Sequence, residues 1–287
     1  DPPEYHLAAV LDNLSDPSRA ALTDGLEAAA DRHDAVIEIS GPRFGSPDGL
    51  LRSFEMAVLS KVDGIIIQAA AAGSMEHVFA RAAAYGLPVV TLEDDSDAGY
   101  RVAFVGPDDA AAGKLAAELA AEALGGKGRI QIFVPRNDDG TILRAIGLRR
   151  DGALAALRAG GGFEAGVTEF RRQGIFGAEN ATRELVLART PVEAIICLSA
   201  GDTLGVAQLV VDLNRVGRIA VIGYGDQEEI QNYVDKAVIE GSVAVDYRAM
   251  GEAAVDTLVA ALSGTDLPRG GTISLRQVRR TDPSHAD

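Results

Sequence analysis

The sequence predicts an α/β protein built from two similar lobes, each a parallel sheet covered by helices. Short runs rich in Val, Ile and Leu alternate with longer stretches of helical spacing, and this order fills both halves of the chain. The strand-like runs are residues 5–11, 35–39, 64–68, 88–92 and 102–105, then 129–134, 163–170, 194–198, 219–223 and 241–245. Two lobes of one design imply a cleft that closes on a small molecule.

Length and composition agree with this organisation. A chain of 287 residues is sufficient for two domains that each have a core. Hydrophobic residues make up 47% of the chain and aromatic residues only 5%, without a tryptophan. We therefore expect cores of Ala, Val, Ile and Leu, as in buried parallel sheets.

Charge and cysteine content exclude several classes of function. The formal net charge of −15 argues against a basic surface for nucleic acid. The single cysteine, Cys197, excludes an internal disulfide and a cysteine-rich metal site, and its apolar neighbours predict a core position. No metal and no cofactor are expected.

The sequence contains no apolar run of about 18 residues, the length that a membrane span requires. No signal peptide is visible before the first strand, which begins at Tyr5. The chain is therefore either cytoplasmic or the mature form of an exported protein.

Apolar spacing and a start signal predict the first helix. Residues 18–32 carry apolar side chains at a period of 3.6, and Asp16 followed by Pro17 predicts an N-cap and a first helical residue.

Polar residues follow many of the predicted strands. Ligands of parallel α/β sheets bind at the carboxyl ends of strands, so these residues are candidates for a binding site. Each one alone also suits a helix cap or a turn, but their shared position supports a ligand site. The candidates are Asp12, Asn13, Asp16, Glu93, Asp94, Ser199, Asp202, Tyr224, Asp226 and Asp246.

Six segments together resemble a known family. They are Asn-Leu-Ser-Asp-Pro at 13–17, Asp-Gly at 24–25, Val-Asp-Gly-Ile-Ile-Ile at 62–67, the strand entry at 86–92, Ile-Gly-Tyr at 222–224 and the segment 246–251. Their order and spacing resemble the type I periplasmic binding proteins, especially the ribose-binding-like sugar receptors, over about residues 5–279. Lactose-repressor-type regulators use the same fold for their effector domains.

The resemblance implies two Rossmann-like lobes with parallel sheets, joined by a hinge of three chain crossings. The first lobe would comprise residues 1–105 and 247–273. The second would comprise residues 106–246 and 274–287.

The ligand-binding pattern departs from the ribose type. Where the family has two stacking phenylalanines, this chain has Ser18 and Arg19, and Glu93-Asp94 replaces an Asp-Arg pair. The family's arginine falls near Ile146, with Arg144 two residues away, while Phe170 matches a pocket aromatic. Arg19, Arg144 and Phe170 therefore join the candidates. Many of the candidates are carboxylates, so a sugar or polyol is the leading ligand and a cationic ligand the alternative.

The resemblance implies an extracytoplasmic or surface-anchored solute receptor that closes on its ligand and delivers it to the permease of an ABC transporter, acting as a monomer. A sensory receptor for a membrane signalling partner is one alternative. The effector domain of a lactose-repressor-type regulator without its DNA-binding headpiece is another.

An enzyme is not expected. No dinucleotide-binding or P-loop motif is present, and Gly-Gly-Lys-Gly at 125–128 lacks the required spacing. The four histidines are scattered, which leaves no plausible members for a Ser-His-Asp or zinc site.

Overall fold

The chain divides into two compact units. The computed structural model describes residues 2–16, 18–68, 75–93, 95, 101–137, 140–171, 175–187, 192–267 and 272–280. Unit 1 comprises Asp1–Pro107 and Asp246–Ser274, and unit 2 comprises Asp108–Val245 and Leu275–Asp287.

Strands and helices alternate along both units. The strands are β1 (Tyr5–Val10), β2 (Ala35–Ser40), β3 (Gly64–Ile67), β4 (Val89–Leu92), β5 (Ala103–Pro107), β6 (Gly128–Arg136), β7 (Phe163–Arg171), β8 (Ala194–Cys197), β9 (Ala220–Tyr224), β10 (Gly241–Val245), β11 (Thr272–Ile273) and β12 (Leu275–Val278). The helices are α1 (Arg19–Arg32), α2 (Pro47–Leu59), α3 (Glu76–Ala84), α4 (Asp109–Ala123), α5 (Arg144–Gly160), α6 (Ile175–Leu187), α7 (Ala200–Asp212), α8 (Glu228–Asp235) and α9 (Tyr247–Ser263).

Each unit contains a six-stranded sheet. The order is β11-β5-β4-β3-β1-β2 in unit 1 and β12-β10-β9-β8-β6-β7 in unit 2. The described pairings are parallel except that of β10 with β12, which is antiparallel. The predicted α/β class with largely parallel sheets is confirmed.

Apolar strands form the centre of each unit. All residues of β3 and β8 are buried, as their unbroken apolar sequences require in a sheet covered on both faces. In the unit 1 core the rings of Phe54 and Phe79 meet edge to face, with their centroids 4.9 Å apart. Cys197 is 1% exposed in the unit 2 core, as predicted. Among the described residues, no helix combines the length and the apolar character needed to cross a membrane.

The start of α1 corrects one sequence prediction. Asp16 is not the N-cap, because α1 begins at Arg19 and Ser18 holds the cap position. The Asp16 carboxylate instead accepts hydrogen bonds from the Ser18 backbone N–H at 2.8 Å and from its hydroxyl at 2.5 Å. These two bonds fix the turn that precedes the helix. Pro17 lies outside the described residues.

Two helix pairs pack with their backbones in contact. In unit 1, a Cβ atom on Gly25 of α1 would overlap the carbonyl oxygen of Arg248 in α9. In unit 2, a Cβ atom on Gly113 of α4 would overlap the carbonyl oxygen of Arg149 in α5. Glycine is required at these positions because any side chain would separate the helices.

Gly25→Ala should therefore lower the free energy of unfolding, by about 1–3 kcal/mol, because the added methyl group overpacks the α1–α9 contact. Gly147→Ala is the matched control, since nothing lies within 4 Å of the Cβ position of this glycine in α5. The control should gain up to about 1 kcal/mol from the higher helix propensity of alanine. Urea unfolding measures the free energy of unfolding of both variants. Equal effects of the two substitutions would contradict this packing argument.

Candidate functional site

Polar side chains meet at the carboxyl ends of three strands of unit 1. Asp12 follows β1, Gln68 follows β3 and Glu93 follows β4, while Arg19 begins α1 and Tyr247 begins α9. We call these five residues the Arg19 cluster.

Glu93 holds the cluster together. Its Oε1 accepts a hydrogen bond from the Tyr247 hydroxyl at 2.9 Å, and its Oε2 accepts from Arg19 Nη2 at 3.3 Å. Gln68 Nε2 also donates to Oε2, while Gln68 Oε1 accepts from the Asp12 backbone N–H at 3.2 Å. Asp12 Oδ1 forms a longer ion pair with Arg19 Nη2, at 3.5 Å.

Arg19 is a buried cation with part of its hydrogen-bonding capacity unused. Its side chain is 8% exposed. Nε and Nη1 are shielded from solvent and have no hydrogen-bond partner among the described residues, and the same holds for Asp12 Oδ1. Burial opposes the charge, but Glu93, Asp12 and Asp16 outweigh it and raise the Arg19 pKa. Buried polar atoms are normally paired, so these three atoms indicate a place for a ligand.

The partly buried Asp12 carboxyl group has a raised pKa. Burial is the main cause and raises its pKa from 3.8 to about 6, although Arg19 acts in the opposite direction. The negative charges of Glu93 and Asp16 add to the increase. Ionised Asp12 is therefore less stable in the folded chain than in the unfolded chain.

Unit 2 contains a second buried arginine, which the sequence prediction missed. Arg149 Nε donates to Asp109 Oδ1 at 2.7 Å, and Nη1 donates to the Leu198 carbonyl oxygen at 2.9 Å. The guanidinium carbon lies 3.9 Å from the centroid of the Tyr224 ring. Tyr224, one of the predicted site residues, therefore lies against the guanidinium group of Arg149.

Arg149 was missed because the prediction looked for an arginine at the start of α5. Arg144 is exposed there and Ile146 is buried. The sequence Arg-x-x-Gly at 149–152 could have identified Arg149. Gly152 lies where the backbone of α5 contacts that of α4, and Arg149 is three residues earlier on the same helix face. A charged residue on that face requires a partner, and Asp109 in α4 supplies it.

Ser199 and Asp202 lie together at the start of α7. The Ser199 hydroxyl donates to Asp202 Oδ2 at 2.6 Å and accepts from the Asp202 backbone N–H at 3.3 Å. Asp202 is 1% exposed. The pair therefore forms the cap of α7.

Other predicted residues have structural partners within their own unit. Asn13 Oδ1 accepts from the Ser15 backbone N–H at 3.1 Å within a turn. Asp246 caps α9 by accepting from the Ala249 backbone N–H at 3.0 Å, and Asp226 pairs with Arg276.

Phe170 lies at the end of β7 and packs against the unit 2 core, with its ring centroid 5.6 Å from that of Phe133. Asp94 lies outside the described residues. In the part of the chain that the structure describes, no three His, Cys, Asp or Glu side chains come together as a metal site would require.

Asp12→Asn isolates the titration of this partly buried carboxyl group. The raised pKa of Asp12 means that its stabilising contribution is present below about pH 4 and is lost as the pH rises through about 6. The asparagine variant should therefore gain stability relative to the parent chain between pH 4 and pH 8, by roughly 1–3 kcal/mol.

Urea unfolding of both chains at the two pH values measures this difference. Asp31→Asn is the control, because Asp31 is exposed near the other end of α1. If the two variants change with pH to the same extent, the assignment to Asp12 is wrong.

Comparison with known proteins identifies relatives over nearly the whole chain. Residues 7–266 match the family described as "Periplasmic binding protein domain". The D-allose-binding periplasmic protein of Escherichia coli (strain K12) is 25% identical over 271 residues, which cover 91% of this chain and 86% of that protein.

Solved structures show the same architecture. The glucose-galactose binding protein GanP from Geobacillus stearothermophilus has a TM-score of 0.89 and 28% identity, covering 97% of this chain and 98% of that chain. A periplasmic solute-binding protein of an ABC transporter from Actinobacillus succinogenes 130z, solved with bound D-allose, has a TM-score of 0.85 and 20% identity over 96% and 98% of the two chains.

Proposed function

The chain belongs to the periplasmic binding protein domain family, and on that premise we propose that it is an extracytoplasmic receptor for a neutral sugar or polyol. Family membership confirms the predicted resemblance and the prediction of a binding protein that is not an enzyme. The E. coli relative is named for D-allose and the G. stearothermophilus relative for glucose and galactose, which supports a sugar ligand.

The observation that carries the proposal is the unused hydrogen-bonding capacity of the Arg19 cluster. Arg19 offers two buried donors and Asp12 offers a buried acceptor. Sugar hydroxyl groups both donate and accept, so a polyol can complete both sets of bonds. A cationic ligand is the alternative, because the carboxylates of Asp12, Asp16 and Glu93 outnumber the single charge of Arg19. The sugars named for the two relatives favour the neutral ligand.

We propose that a hinge movement couples ligand binding to delivery of the ligand. The chain passes between unit 1 and unit 2 at 107–108, 245–246 and 274–275. We propose that these three connections act as a hinge and that the ligand-bound, closed form delivers its ligand, as a monomer, to the permease of an ABC transporter. A ligand can shift the chain to a closed state only if it binds that state more tightly.

A thermal-shift screen with D-allose, D-glucose, D-galactose and the diamine putrescine tests the ligand class. At a concentration of 100 times its Kd, a sugar that binds the folded state should stabilise the chain by about 2.7 kcal/mol. Glu93→Gln should weaken sugar binding by roughly tenfold or more, because it removes the charge that holds Arg19. Calorimetry measures the affinities, with Asp31→Asn as the variant expected to bind normally.

Stabilisation by putrescine alone would contradict the neutral-sugar proposal. Normal sugar binding by Glu93→Gln would show that the ligand is held elsewhere.

A further inference from the structure

We propose that Met56 is a selective and reversible oxidation site, at which a hydroperoxide converts the thioether to the sulfoxide while the chain stays folded. Met56 lies in α2 of unit 1. None of the residues of the Arg19 cluster belongs to α2, so the oxidation site does not depend on the proposed ligand or on the proposed function.

The sulfur-containing side chains differ sharply in their access to solvent. The chain contains three methionines and one cysteine, and all of them are among the described residues. Met56 is 63% exposed, whereas Met75 is 1% exposed and Met250 is 0% exposed. Cys197 is also buried, and burial raises the pKa of its thiol, which disfavours the reactive thiolate. An oxidant in solution therefore has direct access to Met56 but not to the other sulfur atoms.

The outward position of Met56 follows from the residue pattern of α2. The buried residues of this helix are Leu50, Phe54, Ala57 and Val58. Because successive helical residues are rotated by about 100°, Met56 projects from the side of the helix opposite to these four. Its sulfur can therefore be oxidised without the loss of a core contact, whereas Met75 belongs to the unit 1 core.

The surroundings of Met56 suit the oxidised side chain. Met56 borders a cavity of about 260 Å³ between α2 and the strands β1 and β2. The polar residues that line this cavity are Glu38, Ser40, Arg52, Ser53 and Ser60. Arg52 precedes Met56 by one helical turn, so the two side chains are neighbours on the helix surface. A sulfoxide oxygen accepts hydrogen bonds, which a guanidinium group and serine hydroxyl groups can donate.

The oxidation needs only a hydroperoxide as the second reactant. With hydrogen peroxide, a lone pair of the Met56 sulfur attacks one peroxide oxygen, the sulfur–oxygen bond forms and the oxygen–oxygen bond breaks. The proton of the transferred oxygen passes to the leaving hydroxide, which departs as water, so sulfur is oxidised and the peroxide is reduced. A methionine sulfoxide reductase reverses the change by using thiols, which are oxidised to a disulfide while the oxygen leaves as water.

Treatment of the folded chain with hydrogen peroxide, followed by mass spectrometry of its peptides, tests this inference. Met56 should gain one oxygen atom at least about tenfold faster than Met75 or Met250, because buried side chains react only when the fold opens. In urea, where the chain is unfolded, the three methionines should react at similar rates. The chain oxidised at Met56 should unfold at the same temperature as the untreated chain.

Leucine variants assign the oxygen to one residue, since leucine has nearly the volume of methionine and no sulfur. Folded Met56→Leu should gain no oxygen over the period in which the parent chain gains one. Met250→Leu and Met75→Leu are the matched controls and should gain one oxygen at the rate of the parent chain. Thermal unfolding shows whether each variant is folded. Methionine sulfoxide reductases of both stereospecificities, with dithiothreitol, should remove the oxygen from the folded parent chain.

Equal oxidation rates of the three methionines in the folded chain would overturn the inference. Unchanged oxygen uptake by Met56→Leu would overturn it too, and so would slow oxidation of Met75 and Met250 that persists in urea. A lower unfolding temperature after oxidation of Met56 would show that the fold does not tolerate the sulfoxide. An oxygen atom that the reductases leave in place would contradict the reversibility of the site.

Discussion

Backbone contact between helices is the constraint on which both polar clusters depend. Gly25 lets α9 approach α1 closely, and the first residue of α9, Tyr247, donates to Glu93. In unit 2, Gly113 leaves room for the carbonyl oxygen of Arg149 itself, whose side chain pairs with Asp109 on the same helix as Gly113. In unit 2 a glycine thus brings a buried arginine beside its carboxylate, and in unit 1 a glycine brings close the helix whose tyrosine bonds the carboxylate of Arg19.

The two buried arginines differ in how far their hydrogen bonds are completed. Arg149 donates to Asp109 and to a backbone carbonyl and lies over an aromatic ring, which is a structural arrangement within unit 2. Arg19 has longer ion pairs, and two of its guanidinium nitrogens have no hydrogen bonds in the described structure. A buried charge is costly unless its partners are complete. The incomplete set around Arg19 is therefore the feature that a ligand would complete.

Sequence patterns predicted the elements better than the partners of individual side chains. The alternating strands and helices and the core position of Cys197 follow from local periodicity and composition, which the sequence displays directly. The partner of Asp226 is Arg276, and that of Glu93 is Tyr247, both far away along the chain. Such pairs depend on the sheet order and on helix contacts, which local patterns do not specify. The comparison with the ribose-type binding pattern identified Arg19 but could not show that its donors are unused.

A crystal structure of the chain with a bound neutral sugar from the probe set tests the central claim most directly. The account predicts a sugar hydroxyl within about 3.2 Å, the range of normal hydrogen bonds, of a polar atom of Arg19 or of Asp12. A sugar bound without contact to either side chain would contradict the account.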